Sequence, residues 1–231
     1  MIIVALDFPD ADEALRCVDT LGQHATFYKI GLQLFTAEGP NIVRQLKDRD
    51  KRVFLDLKFH DIPNTVAGAV ASASRLDVDM LTVHASGGAA MIRAAVDSAA
   101  SASHPPLVLA VTVLTSMDAS TLAAIGVSAD PTAHVIRLAG LAKEAGCGGI
   151  VCSPQEIAPV RKQIGDDLNL VVPGIRPAGA ASDDQARIAT PQDAIQAGAD
   201  YLVIGRPITA APDPLGAMRA IMSEVASVRR G

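Results

Sequence analysis

A chain of 231 residues with 49% hydrophobic content can bury a substantial core, and fits one large α/β domain as readily as two small ones. Its net charge of -5 offers no basic field to nucleic acid or an anionic membrane. Aromatics at 3%, with no Trp, leave few platforms on which single-stranded nucleic acid would stack.

Three cysteines, Cys17, Cys147 and Cys152, form no CxxC pair and leave one over in any disulfide scheme. Reduced thiols and a cytoplasmic location are therefore expected. The opening Met1-Ile2-Ile3-Val4-Ala5-Leu6 lacks a basic segment and meets Asp7 too early for a secretory signal, and no apolar run reaches membrane-spanning length.

Short apolar runs alternate with helical patterns along the chain. Ile2 to Leu6 reads as a strand. Asp10 then caps a helix with Glu13 in its first turn and Leu15, Val18 and Leu21 on one face, ending at Gly22. Cys17 falls on the inward side of that helix and is expected in the core. Thr26 to Ile30 is the second strand, followed by a helix carrying Ile42, Val43 and Leu46. The third strand starts at Val53, and Pro63 opens a helix with Val66 and Val70 inward.

Met80 to Val83 forms the fourth strand, with Ile92, Ala95 and Val96 marking its helix. Leu107 to Val113 is the fifth, and Asp130-Pro131 starts the next helix. Gly149 to Cys152 is the sixth; Ser153-Pro154-Gln155-Glu156 follows as a capping box, with Ile157, Val160 and Ile164 on a buried stripe. Leu168 to Val172 is the seventh, with a short helix from Thr190-Pro191-Gln192-Asp193. Tyr201 to Ile204 is the eighth, and Pro214 opens a last helix with Leu215, Met218, Ile221 and Val225.

Eight strand-helix units without a linker predict a single α/β domain over residues 1–231, a closed (β/α)8 TIM barrel. A doubly wound open sheet is the structural alternative. Catalytic groups of such barrels stand at the C-terminal ends of the strands. The polar residues there are Asp7, Lys29, Asp56, Lys58, Asp61, His84, Thr115, Ser116, Arg176 and Arg206.

The third strand holds the strongest signal. Asp56 and Lys58 are two apart, so on an extended chain both face away from Leu55 and Leu57, and Asp61 follows just beyond. A lone Asp-x-Lys would be read as an ion pair satisfying itself at a strand end. The longer string Asp56-Leu57-Lys58-Phe59-His60-Asp61-Ile62-Pro63-Asn64-Thr65-Val66, however, closely resembles the signature of the orotidine 5'-monophosphate decarboxylase family.

That resemblance implies a cofactor-independent lyase of UMP biosynthesis, a decarboxylase acting on orotidine 5'-monophosphate. It assigns Lys29, Asp56, Lys58 and Asp61 to a catalytic charge network, in which Lys58 protonates the product carbanion. It also implies a homodimer in which Asp61 and Ile62 reach into the partner's site. Asp7 and Thr65 match residues that grip the ribose hydroxyls, and Thr115 matches one that hydrogen-bonds the pyrimidine.

Without the family, Lys29 alone would pass for a snorkelling lysine at a strand end. Gly205-Arg206 after the eighth strand suits phosphate, because glycine lets backbone approach an anion and arginine supplies a forked donor. TIM barrels hold phosphate at the loops after strands seven and eight. The seventh loop, from Pro173 to Ala189, is long for a βα connection, and such loops are functional lids or disordered. Within it Arg176 and Gln185 match the family's phosphate and base contacts, while Arg187 reads as solvated or as holding the loop.

The five histidines show neither H-x-H nor H-E-x-x-H spacing, so no metal site is expected. Gly-x-Ser-x-Gly and Walker patterns are absent. The nearest rivals, 3-keto-L-gulonate 6-phosphate decarboxylase and hexulose phosphate synthase, share the Asp-x-Lys-x-x-Asp core but need Mg²⁺, and Lys29 stands where such a site wants an acid. A noncatalytic barrel binding nucleotide phosphate would have no use for the Lys-Asp-Lys-Asp array.

Overall fold

Each apolar run becomes a parallel strand, as a run buried on both faces should. In the computed structural model, which describes residues 1–127, 130–177 and 188–228, the strands are β1 (Ile2–Leu6), β2 (Phe27–Gly31), β3 (Arg52–Phe59), β4 (Met80–His84), β5 (Leu107–Val111), β6 (Gly149–Val151), β7 (Asn169–Val172) and β8 (Tyr201–Ile204). They pair in sequence order, and β1 closes on β8 with Ile3 opposite Val203. The open-sheet alternative is thereby excluded.

The helices are α1 (Ala11–Leu21), α2 (Leu32–Glu38), α3 (Asn41–Lys47), α4 (Pro63–Ser74), α5 (Gly88–Ala100), α6 (Ala119–Ala124), α7 (Pro131–Glu144), α8 (Ile157–Ile164), α9 (Pro191–Gln196), α10 (Arg206–Thr209) and α11 (Pro214–Val228). The expected caps form: Asp10, Asp130 and Thr190 accept from the backbone N–H of Glu13, Ala133 and Asp193. Glu156 supplies its half of the capping box by accepting from the Ser153 N–H, although that segment is a 3₁₀ turn preceding α8.

Strand ends differ from expectation by a residue or two. β5 stops at Val111 rather than Val113, β6 at Val151, and β7 begins at Asn169. The segment after β2 is two helices, because Gly39 at φ 61° and Pro40 interrupt it. The short α6 and α10 carry too few turns to show a periodicity.

Strand parity divides the apolar residues into two bodies. Ile3, Ala5, Phe54, Met80, Leu109, Val171 and Val203 fill the barrel interior, while a larger cluster, including Leu6, Val18, Ile30, Leu55, Ile92 and Ile221, lies between strands and helices. Cys17 belongs to the outer body, as expected. The N-terminal rim is tied by charge. Asp79 accepts from Arg52 Nε (2.9 Å), the Val53 N–H (2.9 Å) and Lys47 Nζ (3.3 Å), and the Arg52 guanidinium covers the Phe27 ring at 4.1 Å. Opposite, Arg161 donates to the carbonyls of Gly165, Leu168 and Gly198 and to the Asp200 carboxylate.

Arg161→Ala should lower the free energy of unfolding by about 2–4 kcal/mol, because several bonds are lost at once and part-buried carbonyls lose their donors. A urea titration should show this, with turnover on saturating substrate close to that of the unchanged protein. Burial pushes the Cys17 thiol up to about 11 and the Cys147 thiol up to about 12. Both should therefore resist thiol reagents at pH 8 until the chain unfolds. A raised thiol pKa favours the fold below the unfolded value of 9.0 and loses that contribution as pH climbs toward 11 and 12. Stability should accordingly decline above pH 9.

Candidate active site

A cavity of about 380 Å³ opens at the C-terminal ends of the strands. Asp7, Lys29, Asp56, Lys58, Thr115, Arg176, Gly205 and Arg206 all line it. These residues come from six strand ends and meet only because the barrel closes. The apolar wall between them includes Ala5, Phe54, Val111 and Val203.

The charged groups are in direct contact. Lys58 Nζ lies 2.9 Å from Asp56 Oδ2, and Lys29 Nζ lies 3.0 Å from Asp7 Oδ1 and 3.7 Å from Asp56 Oδ2. The side chains of Lys29 and Asp56 are only 11% and 13% exposed, so their charges depend on one another more than on water. Lys58, at 29%, is more open to the cavity.

Lys58 does not reach this place by simple alternation. β3 and β4 are in register at Leu55–Leu81 and again at Phe59–Val83. Asp56, Leu57 and Lys58 therefore stand opposite Thr82 alone, and Lys58 takes a left-handed backbone at φ 53°. Such a bulge re-aims a side chain, here bringing the amine back toward Asp56. Flat-strand parity gives the right neighbours by the wrong path.

Thr82, which sequence reasoning missed, completes the cluster. Its Oγ1 donates to Asp56 Oδ1 at 2.9 Å and accepts from the Lys58 N–H at 2.9 Å. The signal was present: a polar residue in the middle of a strand whose neighbours Leu81 and Val83 are apolar.

Not every expected residue joins this cavity. Asp61, Ile62 and Thr65 are exposed at the start of α4 and line no part of it, with Ile62 67% exposed. Asp61 Oδ1 instead accepts from the Ile62 N–H at 2.6 Å. The array within one chain is therefore Lys29, Asp56 and Lys58 with Asp7. His84 and Ser116 stand at strand ends outside the lining. The His84 ring lies 5.2 Å from that of His60, and burial, followed by His60 and Lys58, lowers its pKa against the opposing pull of Asp56. Gln185 and Arg187 fall outside the described residues.

Across the mouth, Gly174 at φ 77° turns the chain out of β7, and Arg176 is buried in the cavity wall. The Arg176 N–H donates to the Ala189 carbonyl at 2.9 Å, and Ile175 bridges Ala189, so the two ends of the seventh loop are pinned together. Gly205 precedes α10, and a Cβ there would meet only ordinary contacts at 3.5 Å or more. Its neighbours alone do not require glycine; close approach by a ligand would. Among the described residues, no three of His, Cys, Asp or Glu gather closely enough to hold a metal ion.

A parallel barrel whose mouth carries interlocked lysines and carboxylates facing two arginines is built as an enzyme, with its chemistry on charged side chains. The sequence matches the Orotidine 5'-phosphate decarboxylase / HUMPS family over residues 1–221. It is 52% identical to the orotidine 5'-phosphate decarboxylase of Moorella thermoacetica, covering 99% of this chain and 93% of that one. Against the protein of that name from Anaeromyxobacter dehalogenans strain 2CP-1, identity is 54%, covering 95% and 96%. The crystal structure of orotidine 5'-phosphate decarboxylase from Lactobacillus acidophilus superposes with a TM-score of 0.87 at 38% identity, covering 97% of this chain and 98% of that one.

The chain belongs to the orotidine 5'-phosphate decarboxylase / HUMPS family. It is an enzyme of the carboxy-lyase class.

A methyl group at Gly31 would sit 2.8 Å from Lys29 Nζ and 3.2 Å from Asp7 Oδ1. Gly31→Ala should therefore displace the Lys29 amine and lower kcat by about tenfold or more, with unfolding little changed. Steady-state kinetics alongside thermal melting would check this.

Proposed function

We propose that this chain, acting as one catalytic domain over residues 1–231, converts orotidine 5'-monophosphate to UMP and CO₂ without a cofactor. The observation that carries the reading is the Lys58 ammonium, 2.9 Å from a mostly buried carboxylate, in the same cavity as Arg176, Gly205 and Arg206. One end of this cavity offers fixed charge to a reacting carbon, and the other offers donors to a phosphate.

Loss of CO₂ from C6 of the pyrimidine leaves an electron pair on carbon with no adjacent carbonyl to delocalise it. Fixed charges can stabilise such an anion where no electron sink is used. In this reading Lys58 faces the developing charge and then delivers its proton to C6. Asp56 lies near the departing carboxylate, and Lys29 bridges Asp56 and Asp7, offsetting their mutual repulsion. Thr115 hydrogen-bonds the base, Asp7 grips the ribose, and Arg176, Gln185, Gly205 and Arg206 receive the phosphate and its neighbouring groups. Phosphate binding, although remote from C6, can supply energy for ordering the site.

The fourth member of the network, Asp61, enters from a second copy of the chain. This is supported by its exposure together with Ile62 and Thr65 on one surface at the start of α4. Thr65, one turn along, would join the same contribution, and the enzyme would act as a homodimer. The three free, buried cysteines favour a reducing compartment such as the cytoplasm. The metal-dependent relatives are the second reading. Against them, the Lys29 amine lies between the carboxylates of Asp7 and Asp56, within 3.0 and 3.7 Å, where a divalent cation would have to stand.

Loss of orotidylate absorbance on adding purified protein tests the assignment, and activity should survive exhaustive chelation. Lys58→Ala should reduce kcat by about a thousandfold or more; turnover near that of the unchanged enzyme would remove Lys58 from its role. Arg206→Ala should lower kcat as well as raise KM, and an effect confined to KM would argue against coupling of phosphate to chemistry. Mixing inactive Lys58→Ala and Asp61→Ala proteins should restore part of the activity, because mixed dimers carry one intact composite site. No recovery after subunit exchange would count against sharing.

A further inference from the structure

We propose that Thr82 is a positioning residue for the decarboxylation, its hydroxyl setting both the Asp56 carboxylate and the backbone of Lys58. The inference rests on the reading that Asp56 and Lys58 carry the chemistry. Thr82 itself lines no part of the cavity and is fully buried, so it acts through those two residues.

Three residues of β3 oppose one residue of β4, so the backbone ladder is broken where the catalytic lysine sits. A buried N–H without a partner is costly, and the Lys58 N–H finds its acceptor in Thr82 Oγ1 at 2.9 Å. A hydroxyl has one proton to give, and Thr82 gives it to Asp56 Oδ1, also at 2.9 Å. One oxygen thus fixes the main chain of the proton donor and the side chain of its partner.

The direction of those bonds matters. Because Oδ1 is taken by the hydroxyl, Oδ2 is the oxygen presented to Lys58 at 2.9 Å and to Lys29 at 3.7 Å. Without the hydroxyl the carboxylate can rotate, and the left-handed turn at Lys58 loses its tie to β4. An apolar residue of equal size would keep the barrel filled and lose both restraints.

Three variants test this: Thr82→Val, which keeps shape and removes the hydroxyl; Thr82→Ala, which removes both; and Thr82→Ser, which keeps the hydroxyl. The expected result is a fall in kcat of about tenfold to a hundredfold for T82V and T82A, with KM changed less than about threefold. T82S should stay within about threefold of the unchanged enzyme. A crystal structure of T82V should show the Lys58–Asp56 contact opened.

Normal kcat in T82V, an equal loss in T82S, or a loss appearing only in KM would overturn the proposal. So would failure of T82V and T82A to fold while T82S is intact, since the hydroxyl would then serve folding alone. If the unchanged chain does not decarboxylate orotidine 5'-monophosphate, the functional reading falls. The T82V crystal structure then decides the positioning claim by itself: a retained Lys58–Asp56 contact would overturn it.

Discussion

The Asp56 carboxylate is the point on which the site turns. One oxygen faces two ammonium groups and the other accepts from a buried hydroxyl, so a nearly enclosed anion is held by charge and by direction. Groups in such a network orient one another, and removing one leaves the rest desolvated without compensation. Lys29 and Asp7 extend it to β1 and β2, and Thr82 extends it to β4. The arrangement of four consecutive strands is therefore fixed around a single side chain.

The barrel makes this arrangement possible by stratifying its interior. Phe54, Met80, Leu109 and Val171 close the space beneath the charges, and the Arg52–Asp79 and Arg161–Asp200 ties finish the opposite rim. Stability and chemistry thus occupy opposite ends of the same strands. Lateral separation at the mouth matters as well. Charges of β1 to β3 face donors contributed by β7 and β8, which gives an elongated ligand two different ends to recognise. The proposed nucleotide substrate, with its anionic tail, would match that polarity better than a compact, uniformly charged molecule.

Much of the scaffold was legible because it depends on local chemistry. Asp10, Asp130 and Thr190 announce helix starts whatever surrounds them, and the eight apolar runs are too short and too regularly spaced for anything but buried strands. What escaped reading depended on contacts between distant segments. The break at Gly39-Pro40 lay inside a plausible helical pattern. Thr82 showed in the sequence only as a polar residue within a strand, and its partner Asp56 lies across on β3. Alternation along β3 put Asp56 and Lys58 on one face, yet it is an irregular pairing with β4 that delivers them there, and nothing in a single strand encodes its neighbour's register. The resemblance drew Asp7, Lys29, Asp56 and Lys58 from three separate strand ends, and the fold brings them to one cavity; Asp61 and Ile62, which it assigned to a partner's site, lie outside that cavity, as does Thr65.

The left-handed backbone at Lys58 has a cost that the fold does not need. Away from glycine, that conformation is disfavoured by about 1–2 kcal/mol. A chain selected only to fold would therefore write glycine at position 58. The amine found there stands 2.9 Å from Asp56 in the cavity, and a search for sturdier variants guided by backbone geometry alone would strip it from the charge cluster at the mouth.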